Sequence, residues 1–334
     1  MDGIICVYKP KDFTSFDVVA VMRKVCQTKK IGHGGTLDPM AEGVLPLFVG
    51  NATRAADFQN KDDKEYLAGF RFGLTTDTQD ITGNVTSESD VYISRNKMAL
   101  LERHTGEFEQ IPPMYSAVQV DGKRLYELAR KGEEIERKPR KIKIHSLKVE
   151  SYGENEGVMR VHCSKGTYIR TLIHDIGQEL GAGAVMTSLV RTKSGVFTLE
   201  NCHKLDDLKK AASEKGYEYI RGLLTPLTDF FSNYPRAMLD DVQTTLFLNG
   251  AKLIADRIKF DKIYSGRYTV YSHENALLAL AEIAPDHTLR VVQRFRQPDM
   301  FIKKNVQKQA LFETHELKFD TGHKYNESGS DDFD

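Results

Sequence analysis

Alternation constrains this chain more than any other feature. In YLAGFRFG, residues 66 to 73, Tyr66, Ala68, Phe70 and Phe72 fall on one face of an extended backbone, the period of a strand with one side buried. GIICVY, near the N-terminus, is a second short apolar run that reads as a strand. Between them FTSFDVVAVMRKVC changes to helical spacing, with Val18, Val21, Met22 and Val25 in one stripe. Its start is marked by Thr14 as N-cap, Asp17 as a short capping-box acid, and Phe13 placed to staple onto Val18. MRVHCSKGTYIRTLIHDIGQELG makes the same change within one segment: a strand, a Ser-Lys-Gly turn, then a helix ended by Gly181. Ile169, Leu172, Ile173, Ile176 and Leu180 share one face of that helix.

Past the extended breaker Pro112-Pro113, MYSAVQVDGKRLYELARKG reads as strand, turn and helix. From Gly122 to Lys148 ten Lys or Arg stand against four Glu. With few apolar anchors, this stretch reads as a mobile basic arm that meets a partner, or as a solvated helix face. Leu205 to about Phe231 is mixed and helical, and SNYPR reads as a connector. Beyond it, DDVQTTLFLNG predicts a short helix capped at Asn249-Gly250, and YTVYS, ALLALAEI and TLRVVQRF predict three short strands of a small β-rich module. From Glu313 the composition turns polar and then acidic, which predicts a disordered tail.

A length of 334 residues suits about two domains, and 40% apolar with 28% charged residues is the balance of a folding chain. Net charge is zero, so a nucleic-acid footprint has to be a local patch. Cys6, Cys26, Cys163 and Cys202 are scattered without a C-x-x-C pair, against both a disulfide framework and a zinc site and in keeping with a reducing cytosol. The apolar run of MDGIICVYKPKD is too short for a signal peptide, and no stretch approaches the ~20 apolar residues of a membrane span. A soluble, cytoplasmic protein is expected.

Two polar residues sit where ordinary folding does not require them. Asp38, in GHGGTLDPMAEGVLPLFVG, lies between a glycine-rich loop and a run that reads as a buried strand. An Asp before Pro is commonly a turn former. The nearby glycines make neither a Walker loop nor a dinucleotide fingerprint. Arg170 occupies the first turn of its helix, where the macrodipole disfavours a cation, and it borders the apolar stripe. It needs an anion there. Asp175, five residues on, is poorly placed to supply one, and Asp38 is the sharper option.

GIICVYKPKDFTSFDVV, GHGGTLDPMAEGVLPLFVGNATR, KEYLAGFRFGLTTDTQDITG, QIPPMYSAVQVDGKRLYELARKG and SKGTYIRTLIHDIGQELG, in that order, closely resemble the TruB family of bacterial tRNA pseudouridine synthases. The likeness runs from about Gly3 to Leu227, and Leu239 to Phe295 resembles, more weakly, a PUA-type RNA-binding module. It implies an α+β fold, a mixed and largely antiparallel sheet with flanking helices, followed by a small β-rich PUA-like domain. The implied divisions are 1–228 for the catalytic domain with an RNA-binding arm at about 112–148, 229–312 for the PUA-like domain, and 313–334 for the tail.

The activity the resemblance implies is isomerisation of the T-loop uridine of tRNA, position 55, to pseudouridine, without metal or cofactor. A monomer with no membrane association and no obligatory protein partner is expected. By similarity Asp38 is the essential catalytic residue, as nucleophile or as stabiliser of developing charge. Arg170 pairs with it, and Tyr66 stacks on the target base and takes part in proton transfer. His33 occupies space near the vacated base, Tyr168 and Leu189 line the uracil pocket, and Lys9 with Pro10 forms an element beneath the site. Arg124, in the basic arm, contacts RNA.

Taken alone, Tyr66 would read as a core aromatic and His33 as a loop residue with its bonds satisfied. Gly34 and Glu42 depart from the usual family pattern, and Glu42 should face away from RNA or find a basic partner. A dyskerin-like guided subunit and a non-catalytic tRNA-folding chaperone are the rival readings.

Overall fold

A computed structural model describes residues 2–59, 62–102, 104–262 and 266–295. The alternating segment forms the strand Lys64–Phe72, with Tyr66, Ala68, Phe70 and Phe72 all buried. Glu156–Cys163 and Ala184–Ser194 pair with it on either side, both antiparallel. Among the described residues the sheet has ten strands. Eight run side by side in the order His203–Lys204, Gly3–Lys9, Glu42–Val49, Ala184–Ser194, Lys64–Phe72, Glu156–Cys163, Arg140–Gly153 and Gly106–Gln110. His203–Lys204 with Gly3–Lys9, and Glu42–Val49 with Ala184–Ser194, are parallel. The other described pairs in this sheet are antiparallel, so it is mixed and largely antiparallel.

Helices cover the sheet where the periodicity changes. Ile169–Glu179 lays Ile169, Leu172, Ile173 and Ile176 into one core with Tyr66, Ala68, Phe70 and Phe72, and Leu180 packs at its margin. Gly181 ends the helix at φ 71°, a conformation that costs a residue with a Cβ about 1 kcal/mol. Ser15–Val25 begins with the full capping box of Thr14 and Asp17 and buries Val18, Val19, Met22 and Val25, with Val21 partly buried. Its core is shared with Ile5, Val7, Leu45, Leu47 and the helix Leu205–Gly222. Each large apolar side chain fully buried here contributes about 2 kcal/mol.

The segment after Pro113 differs from a strand, turn and helix. Asp121 and Gly122, both at positive φ, close a two-stranded ribbon of Gln119–Val120 with Lys123–Arg124, and only then does the helix Leu125–Ala129 begin. An Asp-Gly pair is the favoured hairpin turn, which explains the added strand. The basic run does not continue as an arm to Lys148, because Arg140–Gly153 is a long strand of the main sheet.

The chain divides into two compact units, Met1–Phe230 and Phe231–Asp334. Among the described residues the second holds a five-stranded sheet that includes Arg267–Tyr271, Leu277–Ile283 and Leu289–Arg294, the three strands predicted. It also holds the helix Asp241–Leu248, capped at Asn249 and followed by Gly250 at φ 89°. The polar tail expected from Glu313 lies outside the described residues. All four cysteines are free thiols, with the sulfurs of Cys6 and Cys202 2.9 Å apart. Among the described residues no helix is long and apolar enough to cross a membrane.

Candidate active site

The loop that carries Asp38 is held from three sides. The hydroxyl of Ser15, at the start of its helix, accepts from the Leu37 amide at 2.9 Å. Lys9, fully buried, donates to the carbonyls of Pro10, Phe13 and Pro39. Arg191, 1% exposed, donates to the carbonyls of Gly35, Thr36 and Val44. Buried donors spent on loop carbonyls define the loop's path, because leaving any of them unpaired would cost about 1–3 kcal/mol. Gly43 lets strand Glu42–Val49 pass Arg191 closely, since a Cβ there would meet the Arg191 carbonyl at 2.3 Å and φ is +100°.

Asp38 meets Arg170, whose Nη2 lies 3.4 Å from its Oδ2. The guanidinium is 5% exposed and the Asp38 side chain 35%, so the pair runs from the interior to the mouth of a cleft. Nη1 of Arg170 lies 3.3 Å from Oδ2 of Asp80, and Nη2 also donates to the Tyr115 carbonyl at 2.5 Å. Asp175 does not appear among its partners.

The cleft has a volume of about 350 Å³. Among the described residues its cations are Lys64, Arg140, Arg170 and Arg191, and Asp38 is the one carboxylate on its wall, an arrangement that favours an anionic substrate. Tyr66, Tyr168 and Leu189 line it too, which gives flat and apolar surfaces beside the carboxylate. Burial raises the Tyr66 phenol to about 12, so it enters the cleft protonated. Burial also raises the Tyr168 phenol. The Lys64 ammonium is pulled down to about 8, first by burial and then by the charge of Arg191.

Asp38, Arg170, Tyr66, Tyr168 and Leu189 thus meet in one cleft. Lys9 and Pro10 lie behind the Asp38 loop, with Lys9 bonded to the carbonyl of Pro39. His33 and Arg124 are not on the cleft wall. The His33 ring is largely buried, and burial, with the charge of Arg191, lowers its basicity against the opposing effect of the Gly35 backbone. Arg124 is exposed and donates to the Tyr126 hydroxyl at 3.0 Å.

Sequence reading missed Asp80, Lys64 and Arg191. All three are buried charges, and burial is what a linear pattern of charged residues does not report. Gly34, the first departure from the family pattern, has a structural partner: a Cβ there would meet Gln59 Cγ at 2.5 Å and Phe48 at 3.0 Å. Buried Gln59 fills that space. Glu42, the second departure, adds negative potential at Lys9, whose pKa burial nevertheless lowers to about 8.

Residues 23–169 match the TruB family pseudouridylate synthase N-terminal domain, and residues 170–232 match the tRNA pseudouridylate synthase B C-terminal domain. The chain is 42% identical over 284 residues to the tRNA pseudouridine synthase B of Clostridium tetani, covering 84% of this chain and 96% of that one. Identity to the protein of the same name from Syntrophomonas wolfei is 43% over 288 residues, covering 84% and 93%. Among solved structures it is similar to a chain of a Cbf5–Nop10–Gar1 complex, with a TM-score of 0.68 at 28% identity over 88% of this chain and 85% of that one. A chain of the archaeal box H/ACA sRNP Nop10–Cbf5 complex gives 0.66 at 26% identity, over 89% and 87%. With both halves of the first unit matched and relatives above 40% identity along most of its length, this chain belongs to the TruB family of pseudouridylate synthases.

Proposed function

We propose that this enzyme acts on tRNA alone, without a partner protein, and converts the T-loop uridine at position 55 to pseudouridine. The observation that carries the reading is Asp38 paired with buried Arg170 in a cleft whose wall also carries Lys64, Arg140, Arg191, Tyr66 and Tyr168. RNA brings phosphates to the cations. The uridine has to leave its stack to reach Asp38, at a cost of a few kcal/mol, and a tyrosine face such as Tyr66 offsets part of it. Asp38 then works beside C1′, as nucleophile or as stabiliser of the sugar cation, while the N1–C1′ bond breaks. The base turns, C5 bonds to C1′, the C5 proton leaves to solvent and N1 takes up a proton. Arg170 orients the carboxylate throughout. His33, Tyr168, Leu189, Lys9 and Pro10 shape the surroundings of the base, Arg124 meets RNA outside the cleft, and the second unit serves as a PUA-like RNA-binding module.

Loss of the C5 proton supplies the test. Tritium release is measured from T-loop RNA labelled at uracil C5, with purified wild type and Asp38→Asn and neither added metal nor partner. Release by wild type alone, with RNA binding intact in both, is expected. The guided-subunit reading draws on the likeness to chains solved in complexes with Nop10 and Gar1, and release by the isolated chain would remove it. Binding without release by either protein would favour the guided subunit or a chaperone.

A further inference from the structure

On the face of the sheet away from the cleft, three potential metal ligands from separate chain segments converge. His162 lies in strand Glu156–Cys163 between buried Val161 and Cys163, and pairs in register with Glu65, so its ring projects to the side opposite Lys64 and Tyr66. His145 lies in strand Arg140–Gly153 at a bulge: Ile144 pairs with Cys163 and Ser146 with His162, which leaves His145 as the extra residue. A bulge of this kind re-aims a side chain, and here the two imidazole rings come to 4.7 Å between centroids. Asp63, just before strand Lys64–Phe72, completes the group, with Oδ2 3.0 Å from His145 Nε2. One donor atom from each of the three lies within 4.8 Å of the others.

We infer that Asp63, His145 and His162 form a binding site for a divalent transition cation of the zinc class, separate from the active site. Two imidazole nitrogens and a carboxylate oxygen form a borderline-soft donor set of the kind zinc accepts. Metal–ligand bonds of about 2.1 Å place tetrahedral ligands about 3.4 Å apart, so the His145–Asp63 pair at 3.0 Å needs to open only slightly and His162 needs only a small ring movement. A simple His–Asp ion pair would not require the second imidazole. The side chains of His145 and Asp63 are 28% and 48% exposed, which gives the ion a path in and leaves solvent as the fourth ligand. No thiolate takes part, so cysteine spacing could not have revealed the site. The ion would cross-link three segments next to the strand that carries Lys64 and Tyr66.

Tag-free full-length protein, stripped with EDTA, is titrated with ZnCl2 by calorimetry and melted with and without the metal. Wild type is expected to bind one Zn²⁺ per chain and to melt at a higher temperature when loaded. His145→Ala/His162→Ala is expected to bind about a hundredfold more weakly and to lose the shift, with an unchanged circular dichroism spectrum. Cys6→Ser/Cys202→Ser is expected to bind as wild type does. No saturable binding by wild type, equal binding by the double histidine variant, or loss in the cysteine variant would each overturn the site.

Discussion

Asp80 and Arg170 form a buried ion pair, Oδ2 to Nη1 at 3.3 Å, with both side chains 5% exposed. Asp80 is itself locked, since its Oδ1 accepts from the Thr78 hydroxyl at 2.9 Å, the Thr82 amide at 3.0 Å and the Thr82 hydroxyl at 2.5 Å. One end of Arg170 is thereby anchored and the other is presented to Asp38. A buried cation with a rigid counter-ion on one side gives the Asp38 carboxylate a defined direction.

Removing that anchor leaves Arg170 buried with half its charge compensation. Asp80→Ala is expected to lower unfolding free energy by about 3 kcal/mol in urea and to reduce kcat more than it changes KM. A variant as stable and as fast as wild type would show that Asp80 does not position Arg170.

Lysine cannot replace Arg170. One ammonium cannot reach Asp38, Asp80 and the Tyr115 carbonyl together as the planar guanidinium does. Arg170→Lys should lower turnover by about a hundredfold through misplacement of Asp38, with RNA affinity little changed. Wild-type turnover in a single-turnover assay would refute the pairing role.

Gly34 is coupled to Gln59. Gly34→Thr should cost about 2 kcal/mol through overpacking, and Gln59→Ala in the same chain should recover much of it because the clashing Cγ is gone. Additive losses in that double-mutant cycle would mean that the two side chains do not compete for the same space.

Lys64 makes stability depend on pH in a defined window. Its folded pKa is about 8 against an ordinary value of 10.5. Below about 8 both states hold the proton and the cost of burying the charge is present in full. Between about 8 and 10.5 the unfolded chain binds more protons than the folded one, so this lysine's contribution to stability rises with pH. Urea unfolding at about pH 7 and about pH 9.5 should therefore show a smaller gain for Lys64→Met than for wild type, and equal gains would exclude the effect.

Arg124 lies outside the cleft and is exposed. Arg124→Ala should weaken tRNA binding and make the slope of log K against log salt shallower by about 1, with kcat unchanged at saturating RNA. A filter-binding series with an unaltered slope would remove Arg124 from the RNA contact.

Local order was legible in the chain because it depends on neighbours in sequence. The alternation from Tyr66 to Phe72, the Thr14–Asp17 box, the stripe from Ile169 to Ile176 and the Gly181 stop all form as the spacing predicts. So does the choice of Arg170 as an arginine in need of a distant carboxylate, since a cation in the first turn of a helix beside an apolar stripe is costly whatever surrounds it. Tertiary structure decided which carboxylates answer it. Asp38 and Asp80 come from different loops, and no period relates either to Arg170. The burial of Lys64 and Arg191, the Gly34–Gln59 fit and the bulge that sets His145 beside His162 belong to the same class. Each depends on strands remote in sequence being brought side by side, and the energies involved, desolvation and close contact, exist only after that pairing has occurred.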